Sequence, residues 1–123
     1  MAEAVVVVVG GWEHLCCGLP VELGDLVEYG VVSADGARRF AEVRHGTVTS
    51  QTIRGRVVEL YAVGPEGRVA IDRVPSGAAL RGFDDDDDGH LEARWTGQPV
   101  EVEWDGDPEF EVVVDPFGKR QRR

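Results

Sequence analysis

Only two cysteines occur in the 123-residue chain, and Cys16 and Cys17 are neighbours. A disulfide between adjacent residues closes almost no loop and strains the peptide between them, so it offers a poor staple. Long apolar runs are also missing. The valine run Val5-Val6-Val7-Val8-Val9 is too short to cross a bilayer, lacks a basic lead-in and is stopped by Gly10-Gly11. Neither a membrane span nor a secretory leader is expected, which predicts a cytoplasmic chain with reduced thiols.

Several chemical signatures are absent. No CxxC pair exists, and Gly10-Gly11 lacks the glycine spacing and following helix of a dinucleotide site. The run Asp84–Asp88 lacks the alternating ligands and closing glutamate of a calcium-binding EF-hand loop. No segment carries a helical apolar stripe, and no fixed-period repeat appears. Aromatic residues number nine, so valine supplies much of the apolar mass in a composition that is 42% hydrophobic. Branching at Cβ suits an extended backbone, and the chain reads as mainly β.

A chain of this length folds as one domain and buries roughly two-thirds of its extended surface. A structural metal is therefore optional, and no cofactor is expected. The net charge of −10 is unevenly placed: residues 1–83 hold ten acids and eight arginines, whereas residues 84–115 hold thirteen acids and only Arg94. The last eight residues return four positive charges through Lys119, Arg120, Arg122 and Arg123. Such a field repels a phosphate backbone and favours a basic protein or peptide as partner.

Strands are predicted at Val5 to Val9, with both faces buried, and at Val27 to Val31 after a turn at Gly24-Asp25. Asp35-Gly36 suggests a hairpin turn. The firmest local feature is a hairpin over 56–74 that turns at Pro65-Glu66-Gly67. Leu91 to Trp95, Val100 to Trp104 and Phe110 to Val114 follow as shorter strands. The expectation is a small antiparallel β-barrel, partly open or closed, with a curled sheet or β-sandwich as the alternative. Residues 1–115 form the domain, with an exposed acidic loop at 84–88, and residues 116–123 form a flexible basic tail.

Three groups of residues are candidates for function. His14, Cys16 and Cys17, with His45 or His90 as a distant fourth ligand, have the atom types of a zinc site. Cys16 or Cys17 beside an imidazole also has the makings of a nucleophile. The plainer reading is that the thiols pack as small apolar groups. Secondly, Glu101 and Glu103, like Glu109 and Glu111, share a strand face, but alternation with apolar residues explains both pairs as a wet face. Thirdly, Trp12, Trp95 and Trp104 are candidate interface anchors, flanked by acids such as Glu101 and Glu103 that would select a basic partner. Against this, a small domain needs its large side chains in the core.

The residues Trp12, Cys16-Cys17-Gly18, Pro20, Leu23-Gly24-Asp25 and Val27 resemble a family of small, mainly actinobacterial single-domain proteins of unknown function with a Trp-x-x-x-Cys-Cys-Gly corner. The resemblance covers Val5 to about Tyr29 and continues more loosely from Arg54 to Val63. His14 departs from the family pattern, which weakens a three-ligand site built on it. The resemblance implies a short single-domain protein and no particular reaction. The favoured function is thus a non-catalytic interaction or accessory module with an acidic recognition surface; the alternative is a metal-dependent or cysteine-based enzyme centred on Cys16 and Cys17.

Overall fold

The computed structural model describes residues 4–10, 18–33, 39–42, 51–64, 67–100 and 109–116. Five strands carry the main sheet: β1 (Val5–Gly10), β3 (Leu26–Ser33), β4 (Arg39–Glu42), β5 (Gln51–Gly64) and β10 (Glu109–Pro116). Their order is β10-β1-β4-β3-β5, and β5 pairs back onto β10, so the ladders close into a ring. A sixth strand, β6 (Gly67–Ala70), extends from β5 through a hairpin closed at Gly64 and Gly67. That hairpin lies where the sequence puts it.

The ring is a curled sheet and not a barrel of the antiparallel kind expected. Val6 to Val8 of β1 run parallel to Arg39 to Ala41 of β4, while β4 pairs antiparallel to β3. The long strand β5 supplies the curl. Adjacent Val113 and Val114 of β10 oppose Glu59 and Val57 of β5, leaving Val58 without an opposite number. One extra residue on one strand is a β-bulge, which bends the strand and sharpens its twist. The burial phase shifts at the same point: Ile53, Gly55 and Val57 face inward before it, Leu60 and Ala62 after it. The early half of β5 can then pair with β3 and the late half with β6 along one edge, while β10 lies along the other.

The interior is built from strand alternation. Val5, Val7 and Val9 of β1 face Phe110, Val112 and Val114 of β10, all of them buried. Val6 and Val8 are half-buried on the opposite face, so β1 is not buried equally on both sides as its unbroken valine run suggested. Tyr29 and Val31 point inward and Glu28 outward, as their alternation predicts. Each fully buried Val, Leu or Phe contributes roughly 1.5–3 kcal/mol relative to exposure.

A second group of short elements packs into the same hydrophobic cluster through Val21, Ile71, Val74, Leu80 and Leu91. It comprises β2 (Val21–Glu22) paired with β7 (Arg73–Val74), the one-turn helix α1 (Gly77–Leu80), and β8 (Leu91–Glu92) paired with β9 (Pro99–Val100). Ser76 starts the helix by accepting the Ala79 amide on its hydroxyl, and Gly82 ends the turn with φ +81°. An isolated bridge from Ile71 to Ala93 and a bond from the Arg94 amide to the Ala70 carbonyl carry the β8–β9 hairpin onto the end of β6. An otherwise open strand edge is covered there. Among the described residues no helix is long and apolar enough to cross a membrane.

Candidate functional site

The acidic tract is a constructed loop. Three of its five aspartates accept a backbone N–H two residues ahead: Asp84 from Asp86 at 2.9 Å, Asp87 from Gly89 at 2.9 Å, and Asp88 from His90 at 3.0 Å. Asp forms such turns because its short carboxylate reaches the chain just ahead of it. Arg73 of β7 then holds Asp87 in a fork, Nη1 donating to Oδ2 at 2.7 Å and Nη2 to Oδ1 at 2.9 Å. Nη2 also donates to the His90 carbonyl at 2.8 Å. The Arg73 guanidinium, helped by the Gly89 amide, lowers the Asp87 carboxyl to about 2. Gly89 completes the fit: its φ is +76°, and a Cβ there would stand 2.4 Å from the Ala79 carbonyl oxygen.

The exposed carboxylates of Asp85 and Asp86 make none of these bonds and face solvent. At the far end, His90 Nδ1 lies 2.6 Å from Asp88 Oδ1 and Nε2 lies 3.9 Å from Glu92. Hydrogen bonds from the His90 side chain and backbone lower the Asp88 carboxyl. No group of three His, Cys, Asp or Glu side chains among the described residues is arranged to hold a metal ion.

Two large aromatic side chains stand exposed at the ends of this segment, Phe83 at 74% and Trp95 at 77% exposure. Trp95 sits on the tip of the β8–β9 hairpin. The tip is closed by bonds from the Gly97 amide to the Ala93 carbonyl and from the Ala93 amide to the Gln98 carbonyl, both at 2.8 Å. The Thr96 hydroxyl accepts the Gln98 amide, and Gly97 takes φ +71°. Arg94 stacks over the indole, its guanidinium carbon 4.6 Å from the ring centroid. Arg81 lies similarly over Phe83, at 5.2 Å. Trp95 is therefore outside the core, as an interface anchor requires.

Of the two glutamates on β10, Glu109 fits the wet-face expectation and Glu111 departs from it. Glu109 is exposed, but Glu111 is 6% exposed. From one side Arg39 of β4 reaches past β1 to donate to Glu111 Oε2 at 2.9 Å; from the other, Arg68 of β6 reaches past β5 to Oε1 at 2.8 Å. Burial alone would raise the Glu111 carboxyl, but the hydrogen bonds from Arg68 and Arg39 outweigh it and hold the group below its usual range. Arg68 also stacks over Tyr61 at 4.1 Å, and the Tyr61 hydroxyl donates to Glu59. That bond to Glu59, with burial second, raises the Tyr61 hydroxyl. A carboxylate with both oxygens engaged by guanidinium groups is a weak proton acceptor. The cluster acts as a staple across neighbouring strands and not as an acid–base pair.

Of the residues singled out in the sequence, His90, Trp95, Glu109, Glu111 and the Asp84–Asp88 loop fall within the described part. Trp12, His14, Cys16, Cys17, His45, Glu101, Glu103 and Trp104 lie outside the described residues. Sequence reasoning passed over Phe83, Arg73 and Arg94. Phe83 directly before five aspartates was a visible signal, because an aromatic beside a charge run has little chance of burial. Arg73 carried none, since nothing local distinguishes it from the other arginines. No family model, curated protein or solved structure matches the chain.

Proposed function

We propose that this domain is a non-catalytic interaction or accessory module that takes a basic protein or peptide on an acidic surface. The observation that carries this reading is the pairing of exposed Phe83 and Trp95 with a braced acidic loop between them in the chain. A large indole left in water forgoes on the order of 3 kcal/mol of burial, which an interface would recover. A braced loop loses little conformational freedom on binding, so less of that gain is spent on ordering. The outward carboxylates of Asp85 and Asp86, within a chain of net charge −10, would draw a cationic partner and set the orientation of capture. A cytoplasmic setting, and kinship with the proteins that share the Trp-x-x-x-Cys-Cys-Gly corner, belong to the same proposal.

Affinity purification from the source cells, followed by calorimetry with the recovered partner, tests this reading. Reversing charge at the two outward carboxylates (Asp85→Lys and Asp86→Lys together) is expected to weaken binding tenfold or more at low salt. The difference should shrink as ionic strength rises. An affinity indifferent to that double variant rejects the acidic surface.

A further inference from the structure

We infer that the tip of the β8–β9 hairpin is the anchor of this surface, and that the open face of the Trp95 indole receives an arginine side chain from a basic segment of the partner. The inference deepens the interaction reading above and rests on it. Three observations carry it. The tip is fixed: three backbone or hydroxyl bonds hold residues 93–98, and the Arg94 amide bonded to the Ala70 carbonyl at 2.7 Å ties the turn to the main sheet. The ring is accessible: with Arg94 stacked on one face, Trp95 still keeps 77% of its surface in solvent. The charge balance favours a cation: Asp72 lies 3.9 Å from Arg94 Nε, exposed Glu92 and Asp88 flank His90 a few residues before Trp95 in the chain, and the chain as a whole is strongly acidic.

Indole is the side chain whose π face attracts cations most strongly, and arginine is the cation most often found there because its planar guanidinium stacks and is weakly hydrated. Arg94 already shows that this ring accepts a guanidinium at stacking distance. Asp72 offsets the charge of Arg94, so a second guanidinium on the opposite face meets little repulsion. A lysine would gain the charge attraction but lose the planar stack. At Phe83 the arginine stands farther from the ring, and a phenyl face attracts a cation less strongly than an indole.

The probes are a hexa-arginine peptide and its neutral hexa-citrulline counterpart, which keeps the shape and loses the charge. The full chain is labelled with nitrogen-15, and the Trp95 indole N–H signal is assigned by its absence in Trp95→Phe. Hexa-arginine is expected to shift that signal in the intact protein. Trp95→Ala should lose at least fivefold in affinity, Trp95→Phe should lose less, and hexa-citrulline should leave the signal in place. Asp85→Asn with Asp86→Asn should weaken binding separately and flatten its salt dependence. If Trp95→Ala binds as the parent does while the aspartate variant is weakened, the anchor is overturned and the acidic-surface reading survives. Equal binding of hexa-citrulline overturns recognition of a cation. Absence of any hexa-arginine binding overturns both readings.

Discussion

Arg73 grips Asp87 with both terminal nitrogens, at 2.7 and 2.9 Å, and so ties a five-aspartate run to β7. Like charges in sequence would otherwise push the loop open. The planar fork of a guanidinium matches a carboxylate and holds orientation as well as distance, which lysine cannot do. Arg73→Lys is therefore expected to cost about 1–2 kcal/mol in urea unfolding, with faster amide exchange at Gly89 and His90.

The same pair predicts an acid response. Asp87 has a folded-state carboxyl of about 2, against an ordinary value of 3.8. A depressed carboxyl contributes stability that is fully present above its unfolded value and is lost as pH falls through the folded one. The loss should run from about pH 4 down to about pH 2 and, after solvent screening, amount to on the order of 1 kcal/mol. Urea midpoints across that range, compared between the parent and Asp87→Asn, give the measurement. The variant should show the smaller slope.

Glu111 is the deeper case. Replacing it with glutamine keeps the shape but removes the charge that both Arg39 and Arg68 address. The cost should be about 2–3 kcal/mol, below that of a fully buried pair because the arginines retain access to water. Arg68→Met is expected to cost less than Glu111→Gln, since Arg39 still answers the carboxylate. A reversed order in chemical denaturation would show that Arg68 matters through Tyr61 and not through Glu111.

Ring closure has a steric test. A Cβ added at Gly55 would lie 2.1 Å from the Asp115 carbonyl oxygen, a distance that forces β5 and β10 apart. Gly55→Ala should cost roughly 2 kcal/mol or more. Gly64→Ala is the control, because its Cβ would meet its nearest backbone neighbour at 3.8 Å. Thermal unfolding of the two variants side by side should separate them by several degrees.

Gly89→Ala tests whether the loop is built or merely solvated. With φ +76° and the Ala79 carbonyl oxygen in the way, the variant must shift the loop off α1. Loss of about 1–3 kcal/mol is expected, together with new exchange at Phe83, whose amide bonds to Ala78. An unchanged exchange pattern would count against the braced loop and against the low entropic cost assigned to binding.

Local composition and alternation were enough to determine the strand class, the turn at Gly24-Asp25, the hairpin that closes at Gly64 and Gly67, and the inward row of Tyr29 and Val31. Those features depend on residues a few positions apart, where side-chain direction and turn preference act directly. Tertiary structure alone decided that β1 and β4 run parallel, that a bulge at Val58 curls β5, and that two arginines cover Glu111 on the outward face of β10. Each depends on partners far along the chain: Arg39 and Arg68 stand 72 and 43 residues from the glutamate they share. Periodicity says which way a side chain points from its own strand. It carries no information about which distant charge will be waiting there, nor that an aspartate run will be shaped by one arginine and Trp95 left in water on a tied turn.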